Sequence, residues 1–108
     1  MKFDEIRDKI RLTLKENPVE YIGIFGSVAR GEAAPESDVD VLVKFYGRPT
    51  FAAYLKLDAS LRRQLGREVD LVTEGAVNKF LRPQIQRDLK MIYGKRPHLL
   101  GRDKRILP

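Results

Sequence analysis

Apolar residues recur along the chain with two distinct periods. Phe3, Ile6, Ile10 and Leu14 follow one another at intervals of three and four, which places them on one side of a helix. Asp4 is a suitable N-cap and Asn17-Pro18 a stop, so the spacing predicts a helix over about residues 4–16. Glu20 to Phe25 is apolar on both alternate sets and ends at a glycine, the pattern of a buried strand. Ser37 to Phe45 predicts a second strand with Val39, Val41, Val43 and Phe45 on one face. After the turn Gly47-Arg48-Pro49, Thr50 is placed to cap a helix striped by Tyr54, Leu57, Leu61 and Leu65 and closed by Gly66. Glu68 to Thr73 predicts a third strand. Leu81, Ile85, Leu89 and Ile92 predict a last helix ended by Gly94, with Pro83 in its first turn. The order α-β-β-α-β-α implies an α+β fold in two layers: a small mixed β-sheet of about three strands packed with helices.

Periodicity ends at Gly94, so residues 1–94 are expected to form one domain and residues 95–108 a polar tail. At 108 residues the chain holds a single core. It contains no cysteine, which excludes disulfides, thiolate metal sites and a cysteine nucleophile. The formal charge is +6, but residues 1–78 carry 12 basic and 13 acidic side chains, whereas residues 79–108 carry 9 basic and 2 acidic. The basic end, with Lys95-Arg96, His98, Arg102 and Lys104-Arg105, is compatible with phosphate backbones. It lacks interleaved aromatics, so a solvated tail or a surface for an acidic protein partner is the stronger expectation, and nucleic acid the weaker. The N-terminal residues include no apolar run, and the longest uncharged stretch, Tyr21 to Ala29, falls well short of the roughly 20 residues of a membrane span. A cytoplasmic protein without membrane association is expected.

Three features carry candidate chemistry. Gly26-Ser27 follows the first strand directly, where glycine allows a sharp turn and close approach to a ligand. Ser27 can cap a short helix over residues 28–31, whose free N–H groups attract phosphate oxygens. Gly26 and Gly31 have the spacing of P-loop glycines, yet Glu32-Ala33 occupies the place of the required Lys and Ser/Thr, so that motif is excluded. Second, Asp38 and Asp40 flank Val39 and point to one face of a strand that Leu42 also shares. Two converging carboxylates on a partly buried face repel each other unless a cation lies between them, and hard oxygen donors suit Mg²⁺. Third, Asp70 interrupts an otherwise apolar strand. It is either an edge residue facing water or, if the third strand adjoins the second, a third carboxylate of the same site. Arg30 is open to two roles, offsetting phosphate charge or pairing with Glu32 or Glu36.

Gly26-Ser27-Val28-Ala29-Arg30-Gly31, then Ser37-Asp38-Val39-Asp40-Val41-Leu42-Val43, then Asp70, together resemble the nucleotidyltransferase superfamily that includes DNA polymerase beta, and in particular its minimal, MNT-type branch. The resemblance covers residues 3–94. It implies the nucleotidyltransferase fold, triphosphate binding by Gly26 and Ser27, two Mg²⁺ ions held by Asp38 and Asp40, and Asp70 binding one ion while helping to deprotonate the acceptor. ATP is the implied substrate. A chain of this length leaves no room for a domain that holds the acceptor, so the acceptor is expected on another molecule. Minimal members are similar to antitoxins paired with a HEPN-domain toxin, to a tyrosine of which they transfer AMP. The resemblance therefore implies a protein adenylyltransferase acting as a type VII-like antitoxin. The alternatives are an antitoxin that neutralises by binding alone and a subunit that modifies a small molecule. Phe45, Tyr46 and Tyr93 are candidates for contacting the base.

Overall fold

The computed structural model describes residues 1–32 and 34–97. Its elements are α1 (Phe3–Thr13), β1 (Val19–Phe25), α2 (Gly26–Arg30), β2 (Val39–Phe45), α3 (Phe51–Leu65), β3 (Val69–Thr73), α4 (Arg82–Asp88) and β4 (Lys90–Tyr93). Short 3₁₀ turns at Leu14–Glu16 and Glu74–Ala76 extend α1 and follow β3. The strands form one mixed sheet in the order β3-β2-β1-β4. β1 runs antiparallel to β2 and β4, while β2 and β3 are parallel.

The helix periods are realised as expected. Ile6 and Ile10 from α1, with Leu57, Leu61 and Leu65 from α3, bury the α1–α3 face of the sheet against Ile22, Ile24, Val39, Val41 and Val43. Ten such side chains removed from water contribute the bulk of the hydrophobic driving force. Thr50 caps α3 as expected, its hydroxyl accepting from the Ala53 N–H at 3.0 Å, and Gly66 ends the helix in the left-handed conformation. At α1 the expectation is corrected. The helix begins one residue earlier than Asp4, with Lys2 at the cap, and Asp4 and Glu5 sit in the first turn, where their charges still suit the positive end of the helix dipole.

The other face carries a smaller core of Tyr21, Phe25, Leu42, Ile85 and Leu89, roofed by α4. Here the sheet departs from the sequence reading, with four strands rather than about three. α4 ends at Asp88, Leu89 turns extended, and residues 90–93 pair with β1. Leu89 joins the α4-side core while Ile92 joins the α1–α3 core. The interval of three that looked helical therefore spans a switch to the two-residue period of a strand. Close approach of β4 needs Gly23, since a methyl group there would lie 2.8 Å from the Lys90 carbonyl oxygen and 2.9 Å from Leu89 Cδ1.

Gly23→Ala is accordingly expected to destabilise the fold by about 1–3 kcal/mol, measured by urea denaturation. Amide exchange should accelerate first in Lys90–Tyr93. An unchanged unfolding midpoint would show that β4 yields freely at this contact.

Candidate active site

The β2–β3 ladder pairs Val39 with Val69, Asp40 with Asp70 and Leu42 with Val72. Parallel neighbours in register point the same way, so Asp40 and Asp70 stand side by side on the face that Leu42 shares with α4. Asp38 lies just before β2 and is exposed. Asp40 is partly buried, and Asp70 is exposed on an edge strand. Asp70 thus faces water and also adjoins Asp40. Burial, followed by the charges of Asp70 and Asp38, raises the Asp40 carboxyl from 3.8 to about 6, while Arg30 pulls it the other way. The three aspartates singled out in the sequence are therefore brought into one electrostatic cluster.

β1 delivers the fourth element. Its last residue, Phe25, is paired with Asp40, and Gly26 then takes φ +76, a left-handed turn that glycine adopts without strain. A side chain at Gly26 would collide with Asp40 Oδ2. The glycine is therefore required both by the turn and by the carboxylate pressed against it. α2 starts at once, and Phe25 occupies the cap position. The expectation that Ser27 caps this helix is corrected: Ser27 is its second residue, partly exposed in the first turn, and its carbonyl accepts from the Glu32 N–H at 2.9 Å.

Arg30, at the other end of α2, donates to Glu32 at 3.1 Å and to Asp88 at 2.6 Å. Asp88 was not singled out in the sequence. It is buried at the end of α4, receives Arg87 at 2.9 Å as well, and is held below the usual carboxylate range by Arg87 foremost and by Arg30. The pair clamps α2 to α4. Asp88 is one of only two acids within the basic segment 79–108, and that isolation was its available signal. Of the three aromatic candidates, Phe45 is buried, whereas Tyr46 and Tyr93 are exposed. Phe45 pairs with Val19 and Tyr93 with Ile22, and at about 3.4 Å per residue they belong to the far end of the sheet from Asp40. His98 and the basic positions after it lie outside the described residues. Arg96 donates to the carbonyls of Gln86 at 3.0 Å and Leu89 at 3.3 Å, so the chain just beyond Gly94 lies along α4.

A turn pressed on a carboxylate pair at the ends of adjacent strands can seat a phosphate chain beside hard oxygen donors. The polymerase beta nucleotidyltransferase family model matches residues 8–98. The chain belongs to that family. A candidate protein adenylyltransferase of Methanocaldococcus jannaschii is 42% identical over 90 residues, 79% of this chain and 92% of the relative. The protein adenylyltransferase MntA of Thermococcus cleftensis is 38% identical over 71 residues, 66% of this chain and 72% of MntA. Among solved structures, a toxin–antitoxin complex with AMP-PNP superposes with a TM-score of 0.70 at 27% identity, covering 83% of this chain and 74% of that one. No described helix is long and apolar enough to cross a membrane.

The donor chemistry of this nucleotidyltransferase fits a divalent cation. Among the described residues, no group of three or more His, Cys, Asp or Glu side chains is placed to hold a metal ion as the side chains stand. Burial, with the added repulsion from Asp70 and Asp38, raises Asp40, and a bound cation would nevertheless offset both. Asp40, Asp70 and Asp38 are the residues that would hold it.

The elevated Asp40 carboxyl has a defined consequence for stability. The folded state holds this proton more tightly than the unfolded chain, so stability falls as pH rises from about 4 to about 6 and stays lower above that. A shift of this size corresponds to at most about 3 kcal/mol, and solvent screening of a partly exposed group reduces it to roughly 1 kcal/mol. Asp40→Asn should therefore melt a few degrees higher than the native chain at pH 7.5, with the advantage vanishing near pH 4. Mg²⁺ should raise the melting temperature of the native chain and not of the variant. A variant that is less stable at pH 7.5 would contradict the repulsion.

Proposed function

We propose that this nucleotidyltransferase moves AMP from ATP to a tyrosine hydroxyl of a HEPN-domain toxin, in a Mg²⁺-dependent reaction, and so acts as the toxin's antitoxin. The observation that carries the reading is the register that sets Asp40 beside Asp70 with the Gly26 turn against Asp40. The relatives named as adenylyltransferases and the toxin–antitoxin neighbour bound to AMP-PNP support the nucleotide and the class of partner.

Asp38, Asp40 and Asp70 would hold the cations, with Asp40 the common neighbour of the other two. When bound, Mg²⁺ supplies the positive charge that activates the attacking oxygen and stabilises the departing pyrophosphate. Gly26 and Ser27 present the first-turn amides of α2 to the β- and γ-phosphates. Asp70, exposed at the sheet edge, takes the proton of the incoming tyrosine hydroxyl. The tyrosine oxygen bonds to the α-phosphorus, the bond from that phosphorus to the bridging oxygen breaks, and pyrophosphate leaves. Arg30 acts from the rear of the site: paired with Asp88 and Glu32, it fixes α2 and offsets the charge on Asp40. The acceptor comes from the partner, because the carboxylates lie at an open edge.

Incubation with Mg²⁺, labelled ATP and a HEPN-domain toxin should add AMP to that toxin. The double variant Asp38→Asn, Asp40→Asn should lose about 100-fold or more of the labelling rate, since electrostatic groups acting on the reacting centre carry effects of that size. Equal labelling by the double variant would overturn the catalytic assignment. Full protection of cells by that variant would replace catalysis with neutralisation by binding.

A further inference from the structure

We propose that Arg67 is a positioning residue that holds Asp38 in the carboxylate cluster, an inference that rests on the cation-binding reading of that cluster. Asp38 needs external support. It precedes β2, is exposed, and therefore lies outside the ladder that fixes Asp40. Both of its chain neighbours are nevertheless tied, and both ties lead to Arg67-Glu68. The Arg67 guanidinium donates through Nη2 to the Ser37 carbonyl at 2.5 Å and to the Ala34 carbonyl at 3.2 Å. On the other side of Asp38, the Val39 N–H donates to the Glu68 carbonyl at 2.9 Å.

The turn that Arg67 grips is itself closed. The Ser37 N–H donates to the Ala34 carbonyl at 3.0 Å, and the Ser37 hydroxyl accepts from the Ala34 N–H at 2.9 Å. Gripping the two carbonyls therefore moves the turn, and Asp38 with it, as a unit. Arg67 stands two residues after the end of α3 and three before Asp70, so the clamp joins the lead-in of one carboxylate-bearing strand to the lead-in of the other.

Two further observations separate Arg67 from an ordinary surface arginine. Among the described residues it forms no ion pair with a carboxylate, whereas nearby Arg62 pairs with Asp58 and Glu68. Its Nε is also buried without a partner. A buried donor left unmade is costly and calls for a reason. Here the guanidinium is placed for the two turn carbonyls at the expense of its own Nε.

The experiment compares the full chain with Arg67→Ala, Arg67→Lys and Arg11→Ala, the last removing a bond to the Ile92 carbonyl on β4. Three quantities are read: exchange of the hydrogen-bonded amides of Ser37 and Val39, which flank Asp38, Mn²⁺ affinity by electron paramagnetic resonance with AMP-PNP present, and melting temperature. Arg67→Ala should speed exchange at Ser37 and Val39 about ten-fold relative to core amides such as Ile24 and weaken Mn²⁺ binding by about ten-fold, the scale of residues that orient metal ligands. Arg67→Lys, which keeps one donor, should recover part of both. Arg11→Ala should lower the melting temperature while leaving Mn²⁺ affinity and Ser37 exchange as in the native chain. Unchanged exchange at Ser37 in Arg67→Ala, or equal effects of Arg67→Ala and Arg11→Ala on Mn²⁺ affinity, would overturn the proposal. If the native chain binds no Mn²⁺, the transferase reading fails, and the exchange data still decide whether Arg67 holds the turn.

Discussion

Two like charges held side by side by a parallel β-ladder are the constraint on which the rest of the molecule depends. Asp40 and Asp70 occupy one rung of the β2–β3 pairing, and nothing about two carboxylates favours that arrangement. The opposite face enforces it. Val39, Val41, Val43, Val69 and Leu71 are buried against α1 and α3, and a slip of one residue would turn these side chains to solvent and the carboxylates into the core. The Tyr54 hydroxyl adds a fixed point by donating from α3 to the Leu71 carbonyl at 2.9 Å, one residue beyond Asp70. The hydrophobic effect thus maintains an electrostatic conflict of the kind that a bound divalent cation would relieve.

The remaining contacts keep that conflict aimed. Gly26 turns β1 into α2 with no side chain between the turn and Asp40. Arg30, anchored on buried Asp88, keeps α2 against α4 and lends positive charge to the cluster. On the face that bears the carboxylates, the cover is small, Ile85 from α4 and Leu89 just beyond it, and Asp70 remains exposed. An open edge with a strongly built carboxylate cluster suits a catalyst whose acceptor is delivered by another protein.

Much of this was legible in the sequence because local chemistry dictated it. Thr50 and Gly66 bounded α3 through capping alone, and the valine alternation from Val39 to Phe45 revealed the strand and its buried face. The Gly-Ser turn and the spacing to Asp38, Asp40 and Asp70 singled out residues of which the fold presses Gly26 against Asp40 and sets Asp40 beside Asp70. What escaped depended on contacts across the fold. Ile92 lies three residues after Leu89, and only its pairing with β1 reveals that the chain has become a strand. Ser27 looked like a cap because its side chain suits one, but the left-handed turn at Gly26 starts the helix a residue earlier. Asp88 and Arg67 carry no local signature. One is a buried anchor for arginine and the other a grip on backbone carbonyls, and both roles exist only once distant segments meet. The charge of +6, conspicuous in composition, belongs mostly to the segment after residue 78, whereas the chemistry lies in the charge-balanced body.

The most direct measurement is anomalous scattering from a crystal of the chain grown with Mn²⁺ and AMP-PNP. The account predicts Mn²⁺ peaks bounded by the carboxylates of Asp38, Asp40 and Asp70, with the phosphates of the nucleotide lying against the Gly26–Ser27 turn. Nucleotide bound elsewhere, or a Mn²⁺ site that does not include Asp40, would contradict it.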